Sequence, residues 1–312
     1  MEIHPGVTQI DVFHGFNSVY LIRGEKTAII DTGPAQPLEA YIAPALEKLG
    51  KTPADIDLIL NTHIHFDHTG GNTALRNASG AQVLIHTDEA DYLENPELYI
   101  DQYIVPAVEV LLGKENVAAE KERFLKQAVS PITVDRRLKD NDVIQLGAGL
   151  DLKVLHFPGH SPGCSGFYLE KEGILFAGDS VEGVHGPLGA LPVIDDLTAY
   201  EKSLERLLKL PLKVMVKVHP SRSITIPYTF VLRDGEIKQY LEELLESTRA
   251  LREAAASVAP SFPEKPFWEL YDEVVSKFPS DWGMKPTSEL PHLPFHGGTT
   301  LLNIIKQMGS KL

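Results

Sequence analysis

Short apolar runs separated by turn residues fill most of the chain up to about residue 218, and helical periodicity takes over after residue 235. Val7-Thr8-Gln9-Ile10-Asp11-Val12-Phe13 partly alternates, Ser18-Val19-Tyr20-Leu21-Ile22 is apolar, and Thr27-Ala28-Ile29-Ile30 ends at Asp31-Thr32-Gly33. Gly24-Glu25-Lys26 reads as a hairpin turn between the last two runs. Residues 37–49 carry Leu38, Tyr41, Ile42, Ala45, Leu46 and Leu49 at helical spacing before Gly50, which predicts one helix with a glycine stop. Leu58-Ile59-Leu60 predicts a buried strand, 73–77 a short helix and 82–86 another strand, so the first third reads β-β-β-α-β-α-β.

Residues 87–127 are charged and helical in propensity, with Tyr92, Tyr99 and Tyr103 beside Leu and Val. They predict two or three inserted helices, acting as cover for the core or as a homodimer contact, with a tyrosine-bearing lid as the further reading. Strands resume at 142–146, 152–157, 166–169 and 173–177, followed by an amphipathic helix over 197–208 and a strand over 213–218 that ends at His219-Pro220. The tail predicts helices over 236–258, 266–278 and 299–308, separated by proline-rich loops. These patterns predict a catalytic unit over 1–234, with a helical insert at about 88–128, and a helical extension over 235–312.

One stretch stands apart, Asn61-Thr62-His63-Ile64-His65-Phe66-Asp67-His68-Thr69-Gly70-Gly71-Asn72. It concentrates imidazole and carboxylate groups, the usual ligands of Zn²⁺ and related divalent ions, directly after a strand. The two glycines allow a tight turn and a close backbone approach. His160, Asp179 and His219 each follow an apolar run, so strands lined up in a sheet bring them to the same edge. With His63, His65, Asp67 and His68 they supply the inventory of a two-metal hydrolytic site. His4, His14, His86, His156 and His292 read as surface or capping residues, and His185 as intermediate. His296 competes with His219 but follows a proline-rich loop rather than a strand. Asp31 reads as a carboxylate that orients a ligand, and Cys164 as a small packed thiol.

Composition narrows the classes. A net charge of -14 disfavours nucleic acid and anionic membranes as partners, since phosphate contacts need clustered Lys and Arg. The single cysteine excludes an intrachain disulfide. The first residues lack a basic region followed by an apolar stretch, and no apolar run has membrane-spanning length, so a cytoplasmic protein is expected.

The order His63-x-His65-x-Asp67-His68, Gly159-His160, Gly178-Asp179 and a distal His219 resembles the metallo-β-lactamase superfamily. Pro5-Gly6-Val7 and Ala28-Ile29-Ile30-Asp31-Thr32-Gly33 are similar to its first strands. The resemblance covers about residues 3–221 and implies an α/β fold, a four-layer αββα sandwich with the metals at one edge. It implies that His63, His65 and His160 hold one ion, that Asp67, His68 and His219 hold a second, and that Asp179 bridges them. Many members have Gly-His-Gly where this chain has Val218-His219-Pro220. The cofactors so implied are two divalent ions, Zn²⁺ first and Fe²⁺ or Mn²⁺ as alternatives. A bridging hydroxide would attack, with Asp67 orienting it and passing a proton to the leaving group. Phe267-Trp268-Glu269-Leu270-Tyr271 is similar to the C-terminal helices of glyoxalase II-like and small endoribonuclease-like members. The expected substrate is a small-molecule ester, thioester or lactone. A phosphodiesterase or nuclease is the alternative, with Lys217, Arg222 and Arg233 as a basic rim, and a β-lactamase ranks below it.

Overall fold

Runs such as Val19-Tyr20-Leu21-Ile22 are apolar throughout because both faces of their sheet are covered. The computed structural model describes residues 1–127, 130–183, 189–290, 292 and 295–309. The first sheet holds β1 (Glu2–His4), β2 (Val7–Val12), β3 (Asn17–Arg23), β4 (Thr27–Ile30), β5 (Leu58–Leu60), β6 (Gln82–His86) and β7 (Arg136–Leu138), in that spatial order. It is antiparallel from β1 to β4 and parallel from β4 to β7. The second sheet holds β8 (Val143–Ile144), β9 (Leu152–His156), β10 (Ser165–Leu169), β11 (Ile174–Phe176), β12 (Val214–Ser221) and β13 (Thr229–Arg233), ordered β13-β12-β11-β10-β9-β8.

Alternate side chains of both sheets meet in a middle layer. Tyr20, Ile22, Ala28, Ile30, Leu58 and Leu60 face Val154, Phe167, Leu169, Ile174, Phe176 and Val216. The intervening residues Val19, Leu21, Ile29, Ile59, Val83 and Ile85 point to the other face of the first sheet. There α1 (Ile42–Glu47) and, beyond the short α2 (Phe66–Thr69), α3 (Asn72–Ser79) and α4 (Thr87–Glu94) bury Ile42, Leu46, Leu75, Ala90 and Leu93. The outer face of the second sheet, with Leu155, Tyr168, Leu175 and Met215, is covered by a larger helical set. That set is α5 (Pro96–Tyr99), α6 (Val105–Leu111), α7 (Val117–Gln127), α8 (Leu197–Leu207), α9 (Gly235–Val258), α10 (Phe267–Val275) and α11 (Phe295–Gln307). Insert and tail thus share one apolar cluster, and the layers run αββα. Among the described residues no helix is long and apolar enough to cross a membrane.

Several elements differ from the pattern-based expectation. The helix over 37–49 is split into a 3₁₀ turn at Leu38–Ala40 and α1, with Tyr41 at φ −143° between them. Pro44 cannot donate to the preceding turn, so a helix containing it has to begin close before it. The strand over 142–146 shrinks to β8, because the Asp151 carboxylate accepts from the amides of Leu146 (2.8 Å) and Gly147 (3.0 Å) and draws them off the ladder. The short strands β1, β7 and β13 were absent from the expectation; three to five residues with charged members leave little periodicity to read. The expected strand end at His219 is overturned too. β12 continues to Ser221, with a register shift between Val216 and Ser221. Pro220 has no amide to donate to the ladder, and His219 lies in the irregular segment it creates.

Phe167, fully buried between the sheets, gives a check on this layer. Phe167→Ala is expected to lower stability by about 3–5 kcal/mol, read as a fall in the denaturant midpoint at unchanged slope.

Candidate metal centre

The carboxyl ends of β4, β5, β11 and β12 and the loop after β9 meet at one edge of the sandwich, and each delivers part of the polar cluster. The loop after β5 carries His63, His65, Asp67 and His68 in a tight path. A Cβ on Gly70 would collide with the Ala35 amide nitrogen, so glycine is required there. Asn61 and Asn72 close the loop by pairing their side-chain amides at 2.8 and 3.2 Å. Asp31, just past β4 at φ +57°, accepts from the Thr62 amide and the Thr62 hydroxyl, both at 2.8 Å, and from His68 Nδ1 at 2.9 Å. The orienting part expected of Asp31 is what the structure displays.

Each of the five imidazoles has one nitrogen tied outward and the other facing the centre. His63 Nδ1 donates to Thr62 Oγ1 (3.0 Å), whose own proton goes to Asp31. His68 Nδ1 donates to Asp31, His160 Nδ1 to the Val193 carbonyl (2.7 Å), and His219 Nδ1 to the Phe16 carbonyl (3.0 Å). His65 Nε2 pairs with the Tyr99 hydroxyl at 3.0 Å. The four ties to accepting oxygens set which nitrogen carries the proton and leave lone pairs pointing inward. His63 Nε2 and His65 Nδ1 then lie 3.1 and 3.0 Å from His160 Nε2. Tetrahedral ligands at about 2.0–2.1 Å from Zn²⁺ are spaced about 3.3 Å apart, close to these separations.

A second group adjoins the first. Asp67 Oδ2 lies 3.1 Å from His219 Nε2 and 3.7 Å from His68 Nε2, and Asn17 Nδ2 donates to it at 3.3 Å. Asp179 Oδ2 sits between the groups, 3.2 Å from His68, 3.4 Å from His219, 3.6 Å from His160 and 3.9 Å from His63. All seven expected residues are therefore brought together. His63, His68 and His160 are sealed from solvent, whereas Asp67 and His219 are about one-quarter exposed, so the cluster opens on their side.

The donor set fits divalent cations. His68 Nε2 is buried without a hydrogen-bond partner; its approach to Asp179 lacks hydrogen-bond geometry, as expected of two ligands side by side on one ion. Burial, then the neighbouring imidazoles, hold His63 and His65 well below the usual histidine range. Burial opposes charge on His68 and His219 too, but the surrounding carboxylates outweigh it and push both well up. Burial likewise opposes charge on Asp67 and Asp179, yet His68 and His219 hold both carboxyls well below the usual range. Inward lone pairs and carboxylates packed this closely call for positive charge among them.

The profile of the Metallo-beta-lactamase superfamily matches residues 13–219, two-thirds of the chain. The chain belongs to this superfamily. It is 30% identical over 203 residues to the human protein named acyl-coenzyme A thioesterase MBLAC2, covering 62% of this chain and 67% of that one. It is 26% identical over 260 residues to the hydroxyacylglutathione hydrolase of Methylococcus capsulatus, covering 82% and 81%. A solved metallo-beta-lactamase family protein from Thermus thermophilus superposes with a TM-score of 0.70 at 25% identity, over 99% of this chain and 95% of that one. A subclass B3 metallo-beta-lactamase of Bradyrhizobium japonicum, 24% identical, shares the fold with a TM-score of 0.59 over 83% and 95%. The chain is thus a metal-dependent hydrolase of the metallo-beta-lactamase superfamily, whose members use divalent metals.

Around this cluster lie residues that sequence reasoning passed over. Glu89 on α4 is fully buried and accepts from the Gly163 amide at 3.1 Å, holding the loop after His160. Its signal was its position on the stripe of Leu93, where a lone carboxylate is costly unless bonded. Glu182 is held up at about 8 by burial and Asp179, and one of its oxygens lies 3.5 Å from His160 Nδ1. Tyr240 on α9 reaches the Val181 carbonyl (2.8 Å) and Ser221 Oγ (2.6 Å), touching the segments that follow Asp179 and His219. No local pattern marks it.

Other candidates take lesser places. Lys217 is not part of a basic rim: it is buried, its Nζ bonds Ser221 and lies 4.3 Å over the Tyr240 ring, and burial lowers it to about 7. Arg222 donates to the Asp281 carbonyl. His296 lies in the first turn of α11 beside Phe124 and joins no ligand cluster among the described residues. His185 falls outside the described residues. Cys164 is fully buried, and burial raises its thiol well above the usual range. His86, expected at the surface or as a cap, is buried and stacked on His156 at 3.9 Å, and its ring caps α4.

Burial raises the Glu89 carboxyl from 4.5 to about 7. Between these values the folded chain binds more protons than the unfolded one, so this group makes stability fall as pH rises. Glu89→Gln keeps an acceptor oxygen and is expected to flatten that slope in urea unfolding across pH.

Proposed function

We propose that this superfamily member is a binuclear hydrolase of small-molecule thioesters. The observation that carries the two-ion reading is the place of Asp179 Oδ2, within 3.9 Å of ring nitrogens from both ligand groups. His63, His65 and His160 would hold one ion and Asp67, His68 and His219 the other, with Asp179 common to both; zinc suits the imidazole-rich first set. Such ions, when bound, lower the pKa of water to about 7 and polarise a carbonyl oxygen.

The chain's own groups then divide the remaining work. Asp67, steadied by Asn17 and His219 and open to the cleft, holds and orients the attacking water through one of its protons. The outward ties keep the imidazoles from turning as charge develops. A thiolate, with a pKa of about 8.5, departs from an acyl carbon with far less help from an acid than an alkoxide needs. The thioesterase and hydroxyacylglutathione hydrolase names of the relatives support a thioester within the expected group of esters, thioesters and lactones. The buried Lys217 and the charge of -14 weigh against a nucleic-acid substrate.

The test begins with metal content. Purified protein is expected to hold two divalent ions per chain and to lose activity to a chelator, with recovery on adding Zn²⁺, Mn²⁺ or Fe²⁺. On a panel of a thioester, a lactone, bis-p-nitrophenyl phosphate and nitrocefin, the thioester should turn over fastest; cleavage of the phosphodiester alone would overturn the assignment. Asp67→Ala should lower turnover about 10²–10⁴-fold with the melting transition retained.

A further inference from the structure

Three of the five inward-facing imidazoles are tied beside the strands, through Thr62, Asp31 and Phe16, and His160 is tied to the 191–194 segment through Val193. His65 is tied to the helical insert, through the Tyr99 hydroxyl. Tyr99 ends α5 where the helix widens into a π-turn over Ile100–Ile104, a local geometry that re-aims side chains at functional sites. Its ring stacks on Tyr103 at 5.1 Å and meets Tyr92 edge-on at 5.7 Å. Lys121 of α7 binds Glu97 (2.8 Å) and Asp101 (2.6 Å), fastening the same rod on either side of Tyr99. The hydroxyl is thus held in place by stacking, by ion pairs and by the widened turn.

We propose that Tyr99 is a positioning residue for the metal centre. Its oxygen takes the His65 Nε2 proton, fixes the tautomer with a bare Nδ1, and so makes affinity for one ion depend on the seating of the insert. The argument rests on the proposed assignment of His63, His65 and His160 to one ion. A hydrogen bond from a ligating imidazole to an outer group is commonly worth about 10–100-fold in metal affinity. The rotation it restrains is real here, because His65 is only partly buried, whereas His63 and His160 are packed on all sides.

Tyr99→Phe removes the hydroxyl and keeps the stacked ring. Cobalt(II) uptake by the full chain, titrated against a chelator and followed by visible absorption, separates the two ions, because His65→Ala marks the band belonging to its own. Tyr99→Phe is expected to weaken that ion about 10–100-fold and shift its band, leaving the other ion and the metal-free melting temperature unchanged. Tyr103→Phe, which keeps the stack, should match wild type. In metal-free protein, ¹⁵N NMR of the imidazoles should show the Nε2–H tautomer of His65 in wild type and a mixture in Tyr99→Phe. Wild-type protein that takes two cobalt ions while Tyr99→Phe binds both as tightly overturns this proposal alone. Equal weakening of both ions also overturns it, since that marks a loosened insert. Wild-type protein that takes up no cobalt overturns the binuclear reading and this proposal with it.

Discussion

The buried carboxylate of Asp31 sets the geometry on which the centre depends. Placed just past β4, it accepts the amide and hydroxyl of Thr62 and the Nδ1 proton of His68, which lies six residues beyond Thr62. Three hydrogen bonds to one carboxylate in a dry setting are directional and hard to replace with water. They fix the start and end of the ligand loop relative to the sheet, and through Thr62 they reach His63 as well. The loop can be tight because Gly70 and Gly178 let backbone pass where a Cβ would collide with Pro34-Ala35 and with Thr62.

The remaining loops are held from outside the sandwich. Glu89 holds the loop after His160 through the Gly163 amide, and Tyr240 touches the segments after Asp179 and His219. The hydroxyl of Thr300 on α11 accepts from the Ile194 amide and donates to the Pro192 carbonyl, flanking the Val193 carbonyl that receives the His160 proton. Tyr271 on α10 accepts from the Leu191 amide of the same segment. The helices are more than apolar cover: their few polar groups reach inward and add restraints to the loops of the cluster.

How much of this was legible from sequence depended on the range of each interaction. The His63–His68 cluster is local, and its density alone marks a metal site. His160 and Asp179 follow from the rule that strand ends converge at an edge, and the αββα order follows from runs buried on both faces. His219 was found by the same rule for a reason that proved inexact, because β12 continues through it and the irregular segment around Pro220 presents the ring. Glu89, Tyr240 and Thr300 were opaque as members of the centre, and Tyr99 was visible only as one of three tyrosines of a lid reading. Each sits on a helix whose periodicity reports burial, while its partner lies far away along the chain.

The contact made by Thr300 has a consequence for the order in which the protein is made. Domains form as units while the chain emerges from the ribosome, N-terminal parts first. The first sheet, most of the second and every residue of the metal cluster have been synthesised once β12 is out, with only the edge strand β13 to follow. The groups steadying the 191–194 segment, Tyr271 and Thr300, emerge only with the last two helices. The centre of this protein is thus assembled in chemistry early and in rigidity late, so a nascent chain has the side chains of the cluster before it has the clamp that steadies them.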